Sequence, residues 1–100
     1  MAKSKTKSES DQNSIKMQVI VQHKRGLHLR SATQLAAITT KFDASITLTK
    51  GRKVVQANSP LEIVALSASP GTKLTVTITG KDAQPASEAL LVFFNKPEDF

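Results

Sequence analysis

The sequence predicts an α+β fold in which a four-stranded antiparallel β-sheet carries three helices on one face. Four short segments alternate apolar with polar residues, a pattern typical of strands that bury one face. Parallel strands, by contrast, tend to be continuously apolar. Three further segments have helical periodicity or a helix-start signal, and they give the order β-α-β-β-α-β-α. A two-layer sandwich of sheet and helices is therefore expected.

The first strand is expected to begin at Ser14. Its apolar residues recur at every second position: Ile15, Met17, Val19 and Val21. A polar loop over His23–Arg25 and a turn at Gly26 follow. The first helix is predicted over about 29–40, because four residues suited to a core fall on one side of it: Ala32, Leu35, Ala36 and Thr39.

A β-hairpin and a short helix come next. The hairpin strands are predicted over 45–49 and 53–56, with Gly51 at the centre of the turn. Ser59, Pro60 and Glu62 together form a helix-start signal: an N-cap, a first helical residue and the acidic partner of a capping box. The short helix is therefore expected over 61–66.

The last strand and the last helix complete the predicted fold. Leu74, Val76 and Ile78 alternate with polar residues, which indicates a strand. Asp82 can cap the final helix, and Pro85 is tolerated in its first turn. The buried stripe of this helix is expected to consist of four residues: Ala86, Ala89, Leu90 and Phe93.

Composition limits the class of protein. One hundred residues with 39% hydrophobic residues can build one small core. The absence of cysteine excludes a disulfide framework and thiolate zinc sites, so a cytoplasmic location is expected. No cofactor is expected. No apolar run approaches the roughly 20 residues of a membrane span. Residues 1–13 are polar without periodicity, which predicts a disordered tail before a folded domain over 14–100.

The net charge of +6 is compatible with nucleic acid or with acidic proteins as partners. No aromatic residue lies among the basic residues as base-stacking modules require, so nucleic acid is not the expected partner. A basic nucleic-acid-binding module stays open as an alternative. Salt-dependent binding of nucleic acid that is retained in the His28→Ala variant would identify such a module.

The stretch Gly26-Leu27-His28-Leu29-Arg30 is the strongest indication of chemistry. His28 lies where the strand pattern gives way to the helical one, and a helix start offers backbone N–H groups and a positive dipole end to an anion. A neutral imidazole has a lone pair that can accept a phosphoryl group. The N–H groups of Leu29 and Arg30, the Arg30 guanidinium and the Ser31 hydroxyl are expected to contact that group.

The second histidine, His23, has no helix start beside it and is expected to be solvated. No cysteine or carboxylate pair joins the two histidines to complete a metal site.

The element order and three groups of residues resemble the HPr family, the histidine-containing phosphocarriers of the bacterial phosphoenolpyruvate-dependent sugar phosphotransferase system. These residues are Gly26-Leu27-His28 with Arg30 and Ala32, Asn58-Ser59, and Gly71-Thr72 before the last strand. The resemblance covers about residues 14–94. It implies the open-faced β-sandwich of that family, and a monomeric phosphoryl carrier rather than an enzyme.

The resemblance also implies roles for single residues. His28 matches the phosphorylated histidine, which the family modifies at Nδ1, and Arg30 matches the arginine beside the phosphate. Ser59 matches a serine that a dedicated ATP-dependent kinase phosphorylates in many members. The implied partners are enzyme I, sugar-specific IIA domains and an HPr kinase/phosphorylase. The family's partner-binding surface falls here on Leu29, Thr33, Leu61 and Val64.

If Leu29 and Leu61 are exposed beside His28, they are expected to form a small apolar docking patch. The predicted cations around that patch are Arg30, Lys41 and Lys53. Salt-sensitive binding to acidic partner surfaces would follow.

The sequence departs from the family pattern at three positions. Ser31 stands where the family usually has proline, Pro60 where it has isoleucine or leucine, and Ser67 where it often has glycine. The change at Pro60 bears on recognition of Ser59 by a kinase. A regulatory paralogue that serves nitrogen or catabolite control through His28 or Ser59 is the alternative within the family, and Ser31 together with the long tail before Ser14 keeps it open.

Overall fold

A computed structural model describes residues 14–95 of the chain. The predicted tail over 1–13 and the last five residues of the predicted domain lie outside the described residues. The predicted order β-α-β-β-α-β-α is confirmed. The elements are β1 Ser14–Ile20, α1 Leu29–Thr39, β2 Ser45–Lys50, β3 Lys53–Gln56, α2 Pro60–Ala65, β4 Lys73–Thr79 and α3 Ala83–Asn95.

The four strands form one antiparallel sheet in the order β1-β4-β2-β3. One row of side chains crosses its inner face, because Met17 lies opposite Val76, Val76 opposite Leu48, and Leu48 opposite Val55. In the next row Thr77 lies opposite Thr47, and both are only partly buried. The inner face is thus apolar and covered, while the outer face is polar and open, as the resemblance implied.

The helices bury the sides that the sequence predicts. All four predicted residues of α1 are buried, and Ser31 joins them. In α3 the stripe is wider than predicted, because Ala83, Ser87 and Phe94 are also buried while Ala89 is only partly so. Burying a side chain such as Leu35 stabilises the fold by about 1.5–3 kcal/mol, which makes this layer the main source of stability.

Two loops, residues 21–28 and residues 66–72, are joined by backbone hydrogen bonds near the start of α1. Val21 N–H donates to the carbonyl of Thr72 at 2.9 Å, and Leu27 N–H donates to that of Ala68 at 2.9 Å. Between them Gly26 has a φ of 71°, and a Cβ at this position would lie 2.9 Å from Ser69 Cα and closer still to the Ala68 carbonyl oxygen. Only glycine therefore allows the loop before His28 to approach its neighbour so closely.

Within residues 14–95, no helix combines the length and the apolar character needed to cross a bilayer. The cytoplasmic location expected from the sequence stays a prediction.

Candidate functional site

His28 is the residue that begins helix α1. Its backbone is extended, with φ −97° and ψ −175°, and the helix proper starts at Leu29. The His28 ring is partly exposed, and its Nδ1 accepts a hydrogen bond from the backbone N–H of Arg30 at 3.2 Å. A ring nitrogen that accepts a hydrogen bond holds a lone pair rather than a proton. The geometry therefore places the lone pair of Nδ1 at the positive end of the helix dipole.

Ser31 fixes the direction in which the chain enters the helix. Its Oγ accepts a hydrogen bond from the N–H of His28 at 3.1 Å, and it lies 3.1 Å from the Gly26 carbonyl and 3.2 Å from the His28 carbonyl. Together with the bond to Nδ1 this makes a reciprocal cap, built from a histidine and a serine. A proline at position 31 could not supply the side-chain half of this cap.

The expected contact between the Ser31 hydroxyl and a transferred phosphate is not what the structure shows. Ser31 is fully buried, and the hydrogen bonds of its hydroxyl run back into the segment that contains Gly26 and His28. The side chain at this helical position faces the core because it lies one turn, four residues, before the buried Leu35. Leu29 and Arg30, by contrast, are exposed in the first turn beside the ring.

His23 is buried, so the prediction that it is solvated is wrong. It is 1% exposed, and its ring lies against that of Phe93 in α3 with centroids 4.6 Å apart. The cause is visible in the sequence: Val19, Val21 and His23 continue the two-residue alternation beyond the end of β1, and all three point inward. The polar neighbours of His23 concealed that continuation.

Ser59 caps helix α2 as predicted, with its Oγ accepting from the N–H of Glu62 at 3.4 Å and Pro60 as the first helical residue. The second half of the predicted capping box is wrong. The Glu62 carboxylate accepts from the N–H of Gln56 at 3.0 Å, because the Ser59 N–H is already bonded to the Gln56 carbonyl at 3.2 Å. Glu62 thus joins the end of β3 to the start of α2.

The proposed partner surface is partly apolar and open. Leu29 is 59% exposed and Leu61 is 76% exposed, and they lie in the first turns of two helices that pack against each other. Thr33 is exposed, with its hydroxyl donating to the Leu29 carbonyl at 2.7 Å, and Val64 is partly buried. Such exposure of large apolar side chains on neighbouring elements is typical of a docking site.

The cations around this surface differ from those predicted. Lys41 lies beyond the far end of α1, a helix of 11 residues and about 16 Å, so it does not belong to the patch at the other end. Lys53 Nζ instead donates to the Ala65 carbonyl at 3.0 Å, at the end of α2. Lys50, which the sequence analysis missed, donates to the carbonyls of Leu66 at 3.2 Å and Ser67 at 3.0 Å. Both ammonium groups therefore stabilise the negative end of α2.

Comparisons with known proteins agree with one another. The family model described as "PTS HPr component phosphorylation site" matches residues 15–96. The phosphocarrier protein HPr of Xylella fastidiosa is 41% identical over 78 residues, which cover 77% of this chain and 86% of that protein. The phosphocarrier protein NPr of Shewanella violacea is 38% identical over 76 residues, which cover 76% of this chain and 84% of that protein.

A solved structure agrees with the sequence relatives. The crystal structure of a phosphocarrier protein HPr from Bacillus anthracis superposes with a TM-score of 0.78 at 33% identity. The superposition covers 82% of this chain and 98% of that chain, so the similarity extends over the whole of the described fold.

Proposed function

This chain belongs to the HPr family of phosphocarrier proteins, and from that premise we propose that His28 accepts a phosphoryl group from phospho-enzyme I and passes it to IIA domains. In the first transfer the bond from phosphorus to enzyme I breaks while a bond to a ring nitrogen of His28 forms. In the second transfer that N–P bond breaks while a bond from phosphorus to the acceptor group of the IIA domain forms. His28 is the acceptor in the first transfer and the donor in the second, so the chain is a substrate that carries the group between its partners and not an enzyme with turnover of its own. The cytoplasm is the expected site of this exchange.

One observation carries the proposal: Nδ1 of His28 lies at the start of α1 with its lone pair facing the Arg30 N–H. When Nδ1 bonds to phosphorus, that N–H loses its acceptor and can donate to a phosphoryl oxygen instead. A hydrogen bond to a charged group contributes about 1.5–3 kcal/mol, and the helix dipole adds about 0.3–1 kcal/mol. These contributions hold the phosphoryl group without removing its capacity for onward transfer.

The Arg30 side chain is a second group that can stabilise the phosphorylated form of His28. It is exposed at the second position of α1, two residues after His28. Guanidinium groups match the geometry of phosphate oxygens, so Arg30 is proposed to contact the phosphoryl group. The Ser31 hydroxyl has a supporting role instead, because it holds the backbone of His28.

Partners are proposed to dock on the exposed surface that includes Leu29, Thr33, Leu61 and Val64. Apolar contact at the two leucines excludes water from the transferring group, while the positive charge of the chain favours acidic partners. A small contact of this kind gives fast, transient association, which suits a carrier that must leave each partner. Family membership favours such protein partners over the alternative of a nucleic-acid-binding module.

A direct test incubates the chain with enzyme I and labelled phosphoenolpyruvate. We expect one phosphoryl group per chain, labile in acid and stable in base, on His28. His28→Ala should fold and take up no label. Absence of label on the unaltered chain, with an enzyme I that phosphorylates its own carrier, would refute the proposal.

A second candidate function is regulation through Ser59. The observation that favours it is the position of Ser59 at the N-terminus of α2, where an added phosphate is stabilised by the helix. The Glu62 carboxylate shares that helix start and opposes the added charge. Mass spectrometry after treatment with ATP and an HPr kinase/phosphorylase tests this role. Pro60→Ile, which restores the residue usual in the family, is the matched variant, and an unmodified Ser59 in both proteins would exclude regulation at this serine.

A further inference from the structure

The buried ring of His23 is the feature that the proposed transfer does not use. It is 1% exposed and lies against Phe93, with the ring planes 32° apart. Phe93 in turn meets Phe94 edge to face, with centroids 5.1 Å apart. In the described stretch between Val21 and Gly26, His23 is the one residue that is buried. Its ring is therefore one of three buried side chains, with Val21 and Leu27, that anchor the loop leading to His28.

A short series of direct contacts connects this anchor with His28. The His23 carbonyl accepts a hydrogen bond from the N–H of Gly26 at 2.9 Å, which closes the turn before α1. The Gly26 carbonyl lies 3.1 Å from Ser31 Oγ, and the same oxygen atom of Ser31 accepts from the N–H of His28 at 3.1 Å. These hydrogen bonds link the backbone of His23 to that of His28.

We propose that His23 is a positioning residue: by stacking on Phe93, its ring holds the loop so that Nδ1 of His28 stays at the start of α1. This inference rests on the proposed function of His28. The partly exposed ring of His28 is the one that reacts, and the buried ring of His23 holds the loop that positions it. Position matters because a displacement of about 1 Å in a reacting group can slow transfer by about 100-fold.

The proposal predicts an effect on transfer and not on docking. In His23→Ala, kcat for phosphorylation by enzyme I should fall about tenfold or more, while KM stays within about twofold, because the exposed Leu29 and Leu61 are unaltered. His23→Phe keeps a flat ring against Phe93 and should restore at least about half of the wild-type kcat. Gln22→Ala is the matched control, since Gln22 is the exposed neighbour in the same loop.

A second readout does not depend on enzyme I. The Arg30 amide proton donates to Nδ1, so its NMR resonance reports whether His28 is in place. In His23→Ala that resonance should move upfield, and His23→Phe should restore it. Phe93→Leu removes the stacking partner from the side of α3 and should reproduce the His23→Ala result. Circular dichroism shows whether each variant is folded. If His23→Ala is unfolded, the Phe93→Leu protein is used in its place to test the positioning role.

The outcomes separate the two proposals. A folded His23→Ala protein with wild-type kcat and an unmoved Arg30 amide would overturn the positioning role, as would a His23→Phe protein as slow as His23→Ala. If the unaltered chain takes up no phosphoryl group at all, the proposed function fails. The Arg30 amide alone then decides whether His23 holds the loop.

Discussion

Replacing Gly26 with alanine should destabilise the protein far more than the same change at Gly51. Both glycines have a positive φ, 71° and 62°, so an added methyl group meets a similar backbone penalty of about 1–2 kcal/mol at each. At Gly51 nothing lies within 4 Å of the new Cβ. At Gly26 the Cβ would meet the backbone of Ala68 and Ser69, which cannot rotate away.

The size of the difference follows from the contact that must break. To make room, the loop has to separate from Ala68, and the 2.9 Å hydrogen bond from Leu27 N–H to the Ala68 carbonyl is lost. A buried donor left without its acceptor costs about 1–3 kcal/mol. Gly26→Ala should therefore lower the free energy of unfolding by about 2–5 kcal/mol and Gly51→Ala by about 1–2 kcal/mol.

Urea and thermal unfolding followed by circular dichroism measure this difference. In a domain of this size each kcal/mol corresponds to roughly 4–8 °C in Tm, so Gly26→Ala should unfold about 8–40 °C below the unaltered protein. Gly51→Ala serves as the matched control for the effect of φ alone. Equal losses at the two positions would show that the close approach of the two loops does not exist in solution.

Four further predictions concern single contacts. Ser67 has a φ of 55°, so Ser67→Gly should raise the free energy of unfolding by about 0.5–1 kcal/mol in urea titration. Lys50→Met removes the ammonium group that donates to two carbonyls at the end of α2, and should lower the same quantity by about 1 kcal/mol. Ser59→Ala should cost about 0.5–1 kcal/mol by loss of the N-cap, and an unchanged stability would mean that the 3.4 Å contact contributes nothing. Leu29→Ala combined with Leu61→Ala should raise KM for enzyme I by about tenfold with little change in stability, because both side chains are exposed; an unchanged KM would place docking elsewhere.

The sequence was sufficient for the fold because each element carries a local signal. The strands alternate with a period of two, and the alternation decides which face of the sheet is buried, as at Leu48 and Val76. The start of α2 was equally clear, since Ser59 and Pro60 favour a helix start through their own backbone and side-chain chemistry. His28 can also be located from the sequence, because it lies where the two-residue alternation of β1 gives way to the helical periodicity of α1.

What the sequence did not reveal depends on contacts between distant segments. Glu62 binds the N–H of Gln56, and Lys50 binds carbonyls beyond α2, partners that only the folded chain brings near. Ser31 looked like a phosphate ligand because it follows Arg30, yet the rotation of the helix turns it inward. His23 was missed because a polar loop is normally exposed, whereas here the inward alternation of β1 continues through it.

The nitrogen that takes up phosphorus is the most direct test of the account. The chain, uniformly labelled with ¹⁵N, is phosphorylated with enzyme I and phosphoenolpyruvate, and the ring nitrogens of His28 and the Arg30 amide are followed by NMR. We expect coupling to ³¹P at Nδ1 of His28 alone, together with a downfield shift of the Arg30 amide as it turns to a phosphoryl oxygen. Coupling at Nε2 of His28 would contradict the account, and so would a phosphoryl group on any residue other than His28.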